Sequence, residues 1–226
     1  MPLLGKAAML LNFDVDAPVV AEHDHWHTYE HLPERLSIPG FRRGTRWVAV
    51  RGSPRYTVLY EVDGLETLAS AAYLERLDHP TPWNSRMMAH YRGMSRGLCT
   101  VEGTWGYGIG HAALLVRFTP AAAAEATLRA WLADEFLPSL PARPGLSAVH
   151  LLKGAMVAAS TAEQRIRGAD TGVDWALLAT GHDFDTVAAL QNAELDAASL
   201  HAHGASSVSS AVYEIAHSLS ADEVGS

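Results

Sequence analysis

A single cysteine, Cys99, stands in the 226-residue sequence, so no internal disulfide can form and zinc modules built on four thiolates are excluded. A lone thiol fits a reducing cytoplasm, which is the expected location. Basic residues are the minority, with 17 Lys and Arg against 25 Asp and Glu, and the net charge is −8. Neutralising phosphates takes clustered basic side chains, and the densest group, Arg42, Arg43 and Arg46, is too small for that, so no nucleic-acid partner is expected. Long apolar runs are missing. Ala121 to Ala124 ends at Glu125, far short of the ~18 residues that span a bilayer, and no membrane partner is expected. Met1 to Met9 carries one Lys and no sustained apolar stretch, unlike a secretory signal. Neither G-x-G-x-x-G after a strand nor G-x-x-x-x-G-K-[ST] occurs, so nucleotide phosphates have no glycine cradle. What remains is an ordinary globular composition, 48% apolar and 19% charged, with length enough to bury a core.

Within that ordinary composition lies a repeat. Adding 105 to Trp26, Glu30, Leu32, Pro33, Pro39, Gly40 and Phe41 lands on Trp131, Glu135, Leu137, Pro138, Pro144, Gly145 and Leu146. Six of the seven are identical across an ungapped stretch of sixteen positions, which chance explains poorly. The flanks agree. An apolar strand precedes each Trp (Ala7 to Phe13, Ala112 to Phe118), and Pro18 or Pro120 leads into a helix. Pro33 and Pro138 end or kink that helix, and Pro-Gly turns the chain into a second strand, Thr45 to Arg51 or Ser147 to Ala158. Third strands alternate at Arg55 to Val62 and Val173 to Thr180, and second helices open near Leu65 and Thr186, the first interrupted by Pro80 and Pro82. Fourth strands follow at Gly97 to Thr104 and Ser207 to His217, with Gly106 to Gly110 as linker and Ala221 to Ser226 as a frayed tail.

The order is therefore β-α-β-β-α-β twice, residues 1–107 and 108–226: an α+β fold of two tandem ferredoxin-like βαββαβ units. A sheet with both helices on one face leaves its other face bare, and a second sheet in the same chain can cover it. The expected result is an intramolecular α/β barrel with a pocket between the sheets. The chain resembles the dimeric α/β-barrel superfamily, and Trp26-His-Thr-Tyr-Glu-His31-Leu-Pro with Pro39-Gly-Phe41 resembles its EthD-like branch. The resemblance implies a small-molecule pocket and a possible homodimer. Members include cofactor-free monooxygenases, cyclases, isomerases, dehydratases, decarboxylases and haem enzymes, so the fold does not choose a reaction.

The two copies differ where chemistry would reside. His23, His25, His27, Tyr29 and His31 of the first copy correspond to Leu128, Ala130, Leu132, Asp134 and Phe136 of the second. A reactive site is therefore expected in the first copy, with His31 and His27, four residues apart on one helix face, as the catalytic candidates. His31, near the expected helix C-terminus, would feel a dipole that favours a protonated imidazole. The plainer reading ties His31 to a backbone carbonyl, and His23 and His25 to solvent. Tyr29, Arg46, Tyr60 and Trp83 are the candidate substrate-binding residues. Arg46 would need an anionic partner if it points inward, and His79-Pro-Thr-Pro-Trp83 would lid one barrel mouth. His27-Thr-Tyr-Glu30-His31 also matches the H-x-x-E-H zinc signature. Against it, Glu135 keeps the glutamate where both histidines are missing, so Glu30 reads as a helix-to-loop contact and no metal site is assigned. The function expected is a cofactor-independent lyase, isomerase or monooxygenase acting on a small aromatic or polyketide-like molecule. The competing readings are a non-catalytic ligand-binding barrel and a haem or metal protein.

Overall fold

Alternation along the strands decides two surfaces at once. In β1 (Ala7–Val15), Ala8 and Leu10 point to one side while Met9, Leu11 and Phe13 point to the other, and all are buried. Seven further strands follow, β2 (Phe41–Arg51), β3 (Tyr56–Val62), β4 (Tyr91–Gly106), β5 (Ala112–Pro120), β6 (Leu146–Ala155), β7 (Trp175–Gly181) and β8 (Ala205–Ser220). In this computed structural model, which describes residues 3–155, 161–168 and 170–225, they close an antiparallel barrel in the order β1-β3-β2-β8-β5-β7-β6-β4. Residues 7–106 supply the run β4-β1-β3-β2, and residues 112–220 supply β8-β5-β7-β6. The runs join where β2 pairs β8 and β4 pairs β6, and β4 and β8 reach 16 residues each, longer than their alternation suggested. The last part of the expected second strand, to Ala158, lies outside the described residues.

The barrel interior is a core, not a pocket. Leu10, Trp47, Leu59, Leu115, Leu152, Leu178 and Tyr213 fill it, as an eight-stranded barrel is just wide enough for its own side chains. Two further cores lie outside the barrel, each between one run of four strands and its helices. The expectation of a pocket between the sheets is therefore corrected. Both sheet faces are apolar, and the face turned inward is the one sealed by packing.

The helices explain the shared Leu-Pro pair. In residues 7–106 the chain runs through Val20–Trp26, a wide π-turn at His27–His31, and Leu32–Leu36. The counterpart runs through Glu125–Ala130, a π-turn at Trp131–Phe136, and Leu137–Ala142. Proline has no N–H and its ring crowds the preceding turn. Widening that turn, so that the Leu32 N–H reaches the His27 carbonyl and the Leu137 N–H the Leu132 carbonyl, lets the helix continue past Pro33 and Pro138. The helix therefore does not end at Pro33. Gly40 and Gly145 then turn the chain at φ +92° and +91°, and a Cβ would stand 2.6 Å from Thr67 Oγ1 or 2.7 Å from Thr186 Oγ1.

The second helical stretch breaks as expected, into Ala71–Asp78 and Pro82–Met88, capped by Ser70 and Thr81. One helix had no signal in the pattern, Ala162–Arg167, in the connection between β6 and β7. Ala221–Val224 forms a turn closed by a Ser220–Glu223 capping box rather than a frayed tail. No helix among the described residues is long and apolar enough to cross a membrane.

Candidate active site

Four polar residues at spacing four, His23, His27, His31 and Arg35, form a stripe along the first helical run, facing the outer surface of the β4-β1-β3-β2 sheet. All are buried, between 0% and 4% exposed. The rings of His23 and His27 lie 5.5 Å apart and those of His27 and His31 5.3 Å apart, with Trp26 4.6 Å from His31. His23 was expected in solvent. Instead its Nε2 meets the Tyr91 hydroxyl at 3.2 Å and its Nδ1 the Asp24 carboxylate at 3.3 Å.

A narrow cleft opens beside this stripe. Its walls are His27, His31 and Arg35 from the helix, Met9 and Leu11 from β1, and Tyr91, Met94 and Arg96 from β4. Tyr73, Leu77 and Met88 close a third side, and Glu163 and Arg167 of the unforeseen helix close the fourth. The cavity volume is only about 20 Å³, within a hollow of about 370 Å³ counted to its open mouth. The C-terminal half thus completes a site otherwise built from the N-terminal half. Glu163 accepts a short hydrogen bond from Arg35 and another from Asn84 Nδ2 at 2.7 Å, and Arg167 is held by Asp170 at 2.6 and 3.0 Å.

Of the expected site residues, His27 and His31 line the cleft and the other four do not. Tyr29 is 71% exposed. Arg46 is buried on the helix side of the sheet, where it donates to the Asp24 carbonyl at 3.2 Å and Thr28 Oγ1 at 3.1 Å. It staples helix to strand, and its Nε is buried without a hydrogen-bond partner. Tyr60 is fully buried with no partner for its hydroxyl, packed edge-on to Phe41 behind the cleft wall. Trp83 donates to Glu22 Oε1 at 3.0 Å, and its segment lies against the first helix rather than over a barrel mouth. Arg35, Tyr73, Tyr91, Arg96, Glu163 and Arg167 were not foreseen. Only Arg35 carried a signal, as the next residue in the spacing-four stripe and the counterpart of Leu140.

Burial decides the protonation states. Neither the His27 nor the His31 ring makes a hydrogen bond among the described residues, and each Nδ1 is buried without a partner. Burial holds both imidazoles well below their ordinary range, and nearby charge adds to it: His31 and Arg46 for His27, Arg35 for His31. The helix continues past His31, so the expected dipole effect is absent and both rings are neutral at physiological pH. Burial likewise lowers His23 despite Asp24 and pushes the Tyr91 hydroxyl well above its ordinary range, leaving Tyr91 a donor. Asp24 resists its own burial, because hydrogen bonds from His23 and Tyr56 hold its carboxyl below the usual value.

Glu30 is occupied elsewhere. It accepts from Trp26 Nε1 at 3.1 Å and Thr81 Oγ1 at 2.6 Å, tying helix to loop. Glu135, by contrast, is exposed and makes no such bond, and Trp131 is only half-buried, stacked on His203 at 3.6 Å. Among the described residues no group of three or more His, Cys, Asp or Glu is placed to hold a metal ion.

No family model and no curated protein sequence matches the chain. Solved structures do. An anthrone oxidase-like protein superposes with a TM-score of 0.67 at 17% identity, over 98% of this chain and 96% of that one. A proposed monooxygenase from Fusobacterium nucleatum gives 0.61 at 8% identity, over 96% of each chain. A haem-binding protein from Thermus thermophilus gives 0.50 at 10%, over 94% and 92%. These likenesses establish the fold, an α+β barrel with ferredoxin-like neighbours. The histidine-lined cleft measures about 20 Å³ as it stands, so a ring-sized ligand enters it only after the side chains of its walls move.

Proposed function

We propose that the chain is a cofactor-independent oxidase or monooxygenase for a small phenolic aromatic molecule of the anthrone or polyketide type. On this reading it is a fused pair of ferredoxin-like units, residues 1–107 and 108–226, of which only the first keeps a reactive cleft. The observation that carries it is the pair of neutral, unpartnered imidazoles, His27 and His31, in a cleft walled by Tyr91 and Arg96. A buried neutral imidazole is costly without a hydrogen-bond partner and is suited to accept a proton. Beside Arg35 and Arg46 an imidazolium alone is disfavoured. A proton taken from the ligand leaves the ligand as an anion next to the new imidazolium, so the net charge of the cleft does not change. A carbanion or phenolate formed there can reduce dioxygen directly. For an anthrone, one O₂ is consumed, the methylene becomes a carbonyl, and one water is released. The anthrone oxidase-like neighbour supports that substrate type.

The cleft must widen to admit a ring. Met9, Met88 and Met94 line it, and unbranched thioethers change rotamer at little cost. The test is oxygen uptake and quinone absorbance with anthrones and naphthols, in protein freed of flavin and metal, beside the double variant H27L/H31F. Oxygen uptake matched to quinone formation, lost in the double variant, is the expected result. Tight binding without turnover would make the barrel a ligand-binding protein and end the catalytic reading.

A further inference from the structure

Each end of the barrel holds one inward-facing arginine, and the two are treated differently. Along β8, Arg43 of β2 lies level with Ser220, whereas Arg117 of β5 lies level with Ser209, so they mark opposite ends. At the first end Arg43 forks onto Glu61 at 2.6 and 3.0 Å, Glu61 also accepts from the Leu4 N–H at 2.6 Å, and Leu3 is buried over them. That end is neutralised and capped.

At the other end Arg117 has no carboxylate. It makes no hydrogen bond or ion pair among the described residues, although it is half-buried and burial lowers its affinity for its proton. Hydroxyl groups surround it. Ser53 and Ser209 share a crevice with Arg117, while Tyr213 beside them donates its hydroxyl to the Pro54 carbonyl at 3.2 Å and Ser210 meets Gln191 at 3.0 Å. Behind them Thr57 contacts Tyr213, and the amide of Asn12, which receives the Thr57 hydroxyl at 2.5 Å, keeps its Nδ2 buried and unpaired. Beside the crevice a cleft of about 190 Å³ opens to solvent, and Arg117, Thr119, Ser207 and Ser209 are among its walls, with Phe118 and Trp175 buried in the adjoining core. The acid on its rim, Asp174, is exposed and takes the Thr119 hydroxyl at 2.6 Å.

We propose that this barrel mouth is a second ligand site, separate from the histidine cleft, that takes a small carboxylate. A guanidinium fork matches a carboxylate in two parallel hydrogen bonds, and the Ser53 and Ser209 hydroxyls can donate to the remaining lone pairs. One arginine offsets one charge, and Asp174 on the rim repels a second, so a monoanion is favoured over a phosphate dianion. At the capped end Glu61 occupies the place that a ligand carboxylate takes here.

The test uses 4-bromobenzoate and its neutral amide on the whole chain. Calorimetry should show the carboxylate binding roughly 10- to 100-fold tighter than the amide, the range of one charge-assisted contact. The variant R117M, which keeps the stem and loses the charge, should erase that preference. The anomalous signal of bromine in a crystal should lie beside Arg117. The melting temperature of R117M should equal or exceed that of the wild type, because a half-buried cation without a partner is removed. Equal affinity for acid and amide, no binding at all, bromine seated at His27 and His31, or full affinity in R117M would each overturn the proposal. None of these outcomes depends on turnover at the histidine cleft.

Discussion

The two helix-covered cores of this chain are built on one plan and filled with different chemistry. His23, His27, His31 and Arg35 stand where the C-terminal half places Leu128, Leu132, Phe136 and Leu140. Both stripes cross a π-turn, both span a Leu-Pro pair, and both are followed by a glycine with φ near +91°. The apolar version shows that the scaffold has no need of buried imidazoles. Their burial costs stability, through unpaired Nδ1 atoms and suppressed protonation, and that cost points to a use. The π-turn, although such turns gather at functional sites, is explained here by the proline that follows it in either half.

His31→Phe, which imports the residue at 136, tests that comparison most directly. Stability should change by less than about 1.5 kcal/mol, the range of tolerated core exchanges, while turnover of an anthrone falls roughly 10²- to 10⁴-fold. A thermal melt beside the oxygen assay separates the two. Unfolding, or full activity, would make His31 structural.

Arg35→Leu imports the residue at 140 but strands the buried Glu163 carboxylate. We expect a loss of about 3 kcal/mol in chemical denaturation, with most of it recovered in R35L/E163L, since Arg167 keeps Asp170. No recovery would mean that the pair contributes more than mutual neutralisation.

Acid should destabilise the fold chiefly through the N-terminal histidines. The folded-state pKa values of three N-terminal histidines, His23, His27 and His31, are lowered by burial, against one in the C-terminal half, His150, which burial takes to about 3. A lowered histidine leaves stability intact above its unfolded value near 6.5 and removes it as pH falls toward the folded value. Each contributes a slope of about 1.4 kcal/mol per pH unit. Between pH 6.5 and 5, H27L/H31F should therefore unfold along a limb shallower by two such slopes. An unchanged limb would show that these rings are not neutral in the fold.

The smallest effect tests the likeness rather than the difference. Gly40→Ala and Gly145→Ala each force a Cβ against a threonine at positive φ, at a cost of roughly 1–3 kcal/mol. The two losses should agree within about 1 kcal/mol. A large disparity would mean that the halves do not share one turn.

Much of this was legible in the chain. Strand positions followed from alternation, the helix–turn plan from the Trp, Leu-Pro and Pro-Gly spacing, and the place where the two halves differ from histidines that recur as leucine and phenylalanine. Other features were decided only by the tertiary structure. Alternation in β1 or β3 separates two faces, but both are apolar, so nothing local tells which will line the barrel and which will meet helices. The pocket was accordingly expected inside and lies outside. Tyr29, Arg46, Tyr60 and Trp83 have the right chemistry, yet their directions depend on packing. Glu163 and Arg167 reach the cleft from 128 or more residues along the chain beyond Arg35, through a short helix without a sequence signal. Arg43 and Arg117 are alike as letters. Pairing of β2 with β3 sets Glu61 beside one, and pairing of β5 with β8 sets Ser209 beside the other, because pairing across strands, and not neighbourhood in the chain, determines which charge is met.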